Sequence, residues 1–246
     1  MSREAGIVRK GAVMQEPFIL SVEDRKICGV FHFPARENPS YVITCHGLFS
    51  SKQSEKFTAI AERFTRAGLA VVRFDFGGCG ESSGSISDTT VSRRLQELEA
   101  VARFAADHPK LGRKFGLMGS SLGGFVALFF ASANPVNALS IWATPYDLKE
   151  ICSNIPEEEL AILKKEFFTD AEKYNLSAIL DKISTIQIIQ GKKDETVPWS
   201  HAESIFNGVK DPKELEILPD ADHSISRCND RDRALRISLA WLKRQL

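Results

Sequence analysis

Several absences narrow what this 246-residue chain can be. It has no excess charge, since 32 Lys and Arg stand against 32 Asp and Glu. Nothing electrostatic therefore directs it to nucleic acid or to a membrane surface. It has no long apolar run: "FVALFFA" is far too short to cross a bilayer. The start, "MSREAGIVRKG", is charged and lacks the apolar stretch of a signal peptide. Its five cysteines (Cys28, Cys45, Cys79, Cys152 and Cys228) are scattered, odd in number and without a CxxC pair. That pattern favours free thiols and a cytoplasmic location over a disulfide framework. No HExxH occurs and the histidines lack ligand spacing, so no metal is expected. A phosphate loop of the GxxxxGK[ST] type is missing, and the glycines of "FGGCGESSG" open onto no helix, so no nucleotide cofactor is expected.

What remains is an ordinary globular composition, 43% apolar and 26% charged, long enough for one well-cored domain. Apolar runs rich in β-branched and aromatic residues alternate with stretches of helical period, which predicts an α/β fold with a mostly parallel sheet covered by helices. "FILSV" and "KICGVFHF" read as an opening hairpin around Glu23 and Asp24. "SYVITCH", "LAVVRFDF", "KFGLMG", "ALSIWATP", "IQIIQG" and "ELEILP" read as later strands, several apolar at nearly every position, as strands buried on both faces are. Helices are expected in "EKFTAIAERFTRAG", in "TTVSRRLQELEAVARFAADHP" with Val91, Leu95, Leu98, Val101, Ala102 and Ala105 inward, in "PWSHAESIFNGV" and in the closing "RDRALRISLAWLKRQL". Residues 146–182 are far longer than a simple crossover needs. Within them "PEEELAILKKEFF" reads as one amphipathic helix with Leu160, Leu163, Phe167 and Phe168 on one side. The expected organisation is a single domain over residues 1–246, with 146–182 as a small cap over the carboxyl edge of the sheet.

The stretch "FGLMGSSLGGFVALFF" passes from an apolar strand to an apolar helix through two serines fenced by glycines. Only the frame centred on Ser121 gives G-x-S-x-G, with Gly119 and Gly123 where a sharp strand-to-helix turn has no room for side chains. A serine so placed becomes a nucleophile if a base and its orienting partner reach it. Five histidines are available. His32, His108 and His201 read as solvated side chains, and His46 belongs to the "HG" turn. His223, in "PDADHS" between the last strand and the last helix, reads as the general base.

Across nearly its whole length, from about Phe18 on, the chain resembles the α/β-hydrolases. "HGLFSSK", "RFDFGGCGESSG", "DTTV", "GSSLGG", "GKKDETVP" and "ADHS" are most similar to the small-capped carboxylesterases of the cinnamoyl or feruloyl esterase group. The resemblance implies a triad in the order Ser121, Asp194, His223, with Asp194 holding the imidazole. Asp147 is the rival carboxylate; Glu195, Asp220 and Asp222 read as solvated or turn-capping. It also implies an oxyanion hole made by the backbone N–H groups of Leu48 and Leu122. Gly47 would let the backbone bend toward the site, and His46 would pin its loop. Asp75 and Ser82 would satisfy the backbone of the neighbouring loop. Cys79 stands where such relatives commonly carry histidine and reads as a packed small side chain. The implied activity is hydrolysis of short-chain or aromatic carboxylic esters through an acyl-enzyme, with a small-molecule ester as partner and no cofactor. Acyl transfer, thioester or small-amide cleavage would use the same residues, and a silent ligand-binding protein on this scaffold is the reading from another class.

Overall fold

The computed structural model describes residues 14–246; the charged start, residues 1–13, lies outside the described residues. Eight strands form one sheet: β1 (Met14–Val22), β2 (Arg25–Phe33), β3 (Tyr41–Cys45), β4 (Ala70–Phe74), β5 (Phe115–Ser120), β6 (Ala138–Trp142), β7 (Ile186–Gly191) and β8 (Lys213–Leu218). Their spatial order is β1-β2-β4-β3-β5-β6-β7-β8. The β1–β2 hairpin and the β2–β4 pairing are antiparallel, and every later pairing is parallel. This is the α/β-hydrolase fold.

The layers follow from the strand sequences. β3, β4, β6 and β7 are buried at every position, and alternate side chains leave on opposite faces. Ile43, Val72 and Ile188 enter one core with Leu98, Val101 and Phe125, while Val42, Val71 and Ile189 enter the other with Phe57, Phe64 and Leu235. The helices supplying those residues are α1 (Glu55–Arg66), α2 (Val91–Ala106), α3 (Leu122–Ala133) and, last in the chain, α8 (Cys228–Gln245). In α1 the buried residues are Phe57, Ile60, Ala61, Phe64 and Thr65. The chain runs from β3 outward to β4 and then returns to place β5 on the other side of β3. The carboxyl ends of β3 and β5 therefore flank a topological switch point, where such sheets open a crevice.

Between β6 and β7 the chain forms α4 (Leu148–Cys152), α5 (Glu157–Leu160) and α6 (Lys165–Ala171), followed later by α7 (Ser200–Gly208) after β7. The single helix expected over "PEEELAILKKEFF" is thus two. The chain turns after Leu160, and Lys164 is extended (φ −76°, ψ 161°). Its N–H bonds the Ser87 carbonyl at 3.3 Å, and its ammonium pairs with Asp88. The break lets Leu163 and Phe167 both be buried while this segment docks on the residues before α2. Among the described residues, no helix is long and apolar enough to cross a membrane.

Candidate active site

Strand β5 ends at Ser120 and α3 begins at Leu122, so Ser121 alone makes the turn, at φ 54° and ψ −128°. A non-glycine residue there is strained and persists only where its surroundings hold it. They do so through hydrogen bonds. Its N–H donates to the Trp142 carbonyl at 2.9 Å, and its carbonyl accepts the N–H groups of Gly124 and Phe125 at 2.9 and 3.1 Å. The flanking glycines are required by space. A Cβ on Gly119 would come 2.5 Å from the Gly124 Cα, and one on Gly123 the same distance from the His46 carbonyl oxygen. The helix crosses so close to β5 and β3 that no side chain fits.

The loop after β8 brings His223 to this turn: Nε2 lies 3.1 Å from the Ser121 Oγ, and Nδ1 lies 2.8 Å from Asp194 Oδ2. A carboxylate can only accept, so Nδ1 carries the proton and Nε2 faces the serine with its lone pair. Asp194, in the loop after β7, is buried and held at every lone pair. Oδ1 accepts the Thr196 and Val197 N–H groups at 2.9 and 2.7 Å, and Oδ2 accepts Gln190 Nε2 at 2.8 Å. The rival Asp147 is turned to its own helix, accepting the Lys149 and Glu150 N–H groups as the N-cap of α4.

Leu48 and Leu122 line one cavity together with Ser121 and His223. Among the described residues, neither the Leu48 nor the Leu122 N–H has a hydrogen-bond partner. His46 donates from Nδ1 to the Gly47 carbonyl at 2.8 Å and accepts the Phe76 N–H on Nε2 at 3.0 Å, an arrangement that one neutral tautomer satisfies. Burial, reinforced by the nearby Arg94 charge, pulls its pKa down to about 3. Gly47 has no left-handed φ, and a Cβ there would make only ordinary contacts, 3.4 Å from the Ser121 Cβ and 3.9 Å from its Oγ. Its smallness thus keeps the space beside Ser121 open, and the expected backbone bend does not depend on it. Asp75 accepts the Lys52 and Glu81 N–H groups and pairs with the Lys52 ammonium; Ser82 donates to the Asp75 carbonyl and accepts the Cys28 N–H. Cys79 is buried, and burial pushes its thiol pKa up.

The cavity measures about 680 Å³, within the usual range for small-molecule sites. Of the apolar residues offered by 146–182, Ile151, Ile155, Leu160 and Phe167 line it, joined by Leu148. Leu163, Phe168 and Tyr174 pack elsewhere; the Tyr174 hydroxyl, for example, meets the Ser92 Oγ at 2.7 Å. On the α1 side the lining includes Lys56, whose ammonium donates to the Ser120 Oγ at 2.8 Å. Burial pulls its pKa to about 8, against the opposing attraction of Asp222 and Asp194.

The profile of the hydrolase family described as "Serine aminopeptidase, S33" matches residues 36–167, more than half of the chain. The chain belongs to this family. It is a serine hydrolase of the α/β fold. The mitochondrial palmitoyl-protein thioesterase ABHD10 of Rattus norvegicus is 26% identical over 219 residues, which cover 79% of the hydrolase and 72% of that relative. Among solved structures, Est1E of Butyrivibrio proteoclasticus with bound ferulic acid superposes with a TM-score of 0.81 at 19% identity, over 93% of the hydrolase and 98% of that chain. Alpha/beta hydrolase domain-containing protein 10 from mouse gives 0.75 at 22% identity, over 93% and 99%. At such identities the two superpositions speak for the fold alone.

Three histidines of the hydrolase correct the sequence reading, because none is solvated. His32 is buried on β2, where its Nε2 accepts Arg73 Nε at 3.1 Å. His201 is buried at the start of α7 and accepts the Tyr146 N–H at 2.9 Å. His108 packs on the rings of Phe31 and Phe33 beside Glu16. Each imidazole spends its polarity on a partner remote in sequence, which composition does not reveal. Lys56 and Arg94 are hidden from the sequence for the same reason, whereas Gln190 bonds near neighbours, Asp194 and Val197, and its apolar strand gives no sign of that role. For Arg94 a signal existed: it stands three residues after Val91 and four before Leu98, on the buried stripe of α2, whereas Leu95 is only half-buried.

Proposed function

We propose that this protein hydrolyses carboxylic esters, oxygen esters or thioesters, with Ser121 as nucleophile, His223 as general base and acid, and Asp194 as the carboxylate that orients the ring. The observation that carries the reading is the continuous relay from Asp194 Oδ2 through His223 to the Ser121 Oγ, ending in a largely apolar cavity. Attack of Oγ on the acyl carbon passes the serine proton to Nε2. The carbonyl oxygen gains a negative charge and accepts hydrogen bonds donated by the Leu48 and Leu122 N–H groups, aided by the positive end of α3. Collapse of this intermediate expels the alcohol or thiol with the proton from Nε2. Water, deprotonated by the same nitrogen, then releases the acid from the serine.

In this reading residues 146–182 form a cap whose Leu148, Ile151, Ile155, Leu160 and Phe167 cover the acyl group, which favours short-chain or aromatic acyl esters of small molecules. The thioester branch has support of its own in the rat relative, a palmitoyl-protein thioesterase. The family's description, a serine aminopeptidase, brings amide substrates into the test.

Labelling with a fluorophosphonate probe, followed by peptide mapping, should place the adduct on Ser121, and Ser121→Ala should abolish it. The same variant should lower turnover of the best substrate by ~10⁴-fold or more. The substrate panel pairs p-nitrophenyl esters of graded length with methyl hydroxycinnamates, acyl thioesters and aminoacyl p-nitroanilides. An unlabelled wild-type chain that turns over none of them would leave a binding protein on a hydrolase scaffold.

A further inference from the structure

The guanidinium of Arg94 is buried, and among the described residues no carboxylate lies within ion-pair distance of it. Glu97, on the same helix, is engaged by Arg25 and by the Gly77 N–H, each at 2.9 Å. A buried cation without a counter-ion is costly, so its surroundings must supply negative potential in another form. They do so with backbone. Nη1 donates to the carbonyls of Gly47 at 3.2 Å and His46 at 3.4 Å, and Nη2 donates to the carbonyl of Leu48 at 3.0 Å. Nε is anchored on the Thr89 Oγ1 at 2.9 Å, and the guanidinium lies 4.7 Å from the centre of the Phe76 ring.

Three consecutive carbonyls thus point at one cation. In a trans peptide the C=O and the next N–H are antiparallel. Holding the Gly47 oxygen therefore fixes the direction of the Leu48 N–H, which leaves on the opposite side, toward the cavity. That oxygen receives a second donor, the His46 Nδ1 at 2.8 Å, so both of its lone pairs are occupied and the peptide plane is locked. A charge-assisted hydrogen bond to the carbonyl also polarises the amide and strengthens its N–H as a donor.

We infer that Arg94 is a positioning residue for the oxyanion site: it holds the peptides of residues 46–48 so that the Leu48 N–H faces the developing charge. The inference rests on the assignment of Ser121 and the two N–H donors proposed above. Arg94 touches no substrate. Its effect runs wholly through the direction and acidity of one amide, and so it should act on the transition state and leave ground-state binding alone.

The test uses the full chain with Arg94→Met, which keeps the alkyl stem and removes every donor, and two matched substrates: an aryl butyrate and its thiono analogue, with C=S in place of C=O. Sulfur is larger and accepts N–H bonds poorly, so the thiono ester gains little from the hole. The expected result is a fall of ~10–10²-fold in kcat for the oxygen ester, with KM and the thiono turnover each within about threefold of wild type. Equal losses on both esters, or an unchanged oxygen-ester rate in the folded variant, would overturn the inference. Should Arg94→Met not fold, Arg94→Lys and Thr89→Val decide on the same ratio: a drop of about threefold or more in either supports it, and no change in both overturns it. A wild-type chain that neither labels nor turns over ester overturns the site assignment itself, before any Arg94 variant is measured.

Discussion

Replacing Asp194 by asparagine removes one negative charge and turns one acceptor into a donor, and the structure says where that donor must go. Two backbone N–H groups, from Thr196 and Val197, converge on Oδ1, so the amide oxygen of Asn stays there. The Asn NH₂ then occupies the place of Oδ2, where it faces Gln190 Nε2 and His223 Nδ1–H. Both neighbours are donors. Gln190 cannot simply flip to help, because its Nε2 also donates to the Val197 carbonyl at 2.9 Å, and a flip would set two oxygens against each other. His223 can respond only by moving its proton to Nε2, which then points a hydrogen at Ser121 and leaves no base. The expected consequences are a fall of ~10³–10⁴-fold in kcat for a p-nitrophenyl ester and a loss of about 1–3 kcal/mol in stability from the unmatched buried donors. Asp147→Asn, measured alongside, should keep near-wild-type turnover, because asparagine caps a helix as well as aspartate does. Steady-state kinetics and urea denaturation of the two variants read both quantities. If Asp194→Asn retained more than about a tenth of the activity, the carboxylate's role would be refuted, since the wrong tautomer cannot support that rate.

Two further outcomes follow from packing and from burial. Gly123→Ala places a methyl group inside the contact distance of the Cys45 carbonyl oxygen and 2.5 Å from that of His46; about 3 kcal/mol or more of stability should be lost, and soluble yield and thermal melting would show it. Acid stability should report the two buried imidazoles: burial, with Arg73 or Arg94 beside the ring, brings His32 to about 4 and His46 to about 3, from an ordinary 6.5. Above 6.5 neither the folded nor the unfolded chain protonates them, and they add no pH dependence. Below 6.5 the unfolded chain binds protons that the folded chain refuses, so unfolding becomes easier as pH falls, by about 1.4 kcal/mol per pH unit for each ring. At about pH 5 the pair should cost about 4 kcal/mol relative to about pH 7.5. A urea midpoint that does not move between those conditions would contradict their neutral burial.

The parts of this molecule that could be read from its letters are those whose requirements are satisfied nearby in the chain. Ser121 announces itself because the turn needs Gly119 and Gly123 within two residues, between a strand and a helix whose apolar patterns are themselves local. Asp194 finds two of its four partners at Thr196 and Val197, and the His46 ring closes on its neighbour Gly47. The strands were legible for the same reason: β3, β4, β6 and β7 are mostly apolar runs buried at every position, which carry their own signature. The interruption between α5 and α6 was not, because its cause is a contact with Ser87 and Asp88 far away in sequence.

Arg94 shows how such a residue can be recognised after all. The stripe of α2 that meets the sheet runs through positions 91, 94, 98, 101 and 105, and all five side chains are buried. An amphipathic reading that equates charge with solvent discards the second of them and promotes Leu95, which ends half-buried. Periodicity outranks polarity here, because a helix turned by one residue to expose Arg94 would drag Val91, Leu98, Val101 and Ala105 out of the core together. The helix therefore commits a guanidinium to the interior, and the interior must offer acceptors. Besides the Thr89 hydroxyl, the loop of residues 46–48 does so by turning its carbonyls inward. The peptide whose Gly47 carbonyl turns inward sends its N–H the other way, and that N–H, of Leu48, is the one proposed to serve beside Ser121. The charge on the stripe and the proposed donor in the site are two faces of one set of peptide planes.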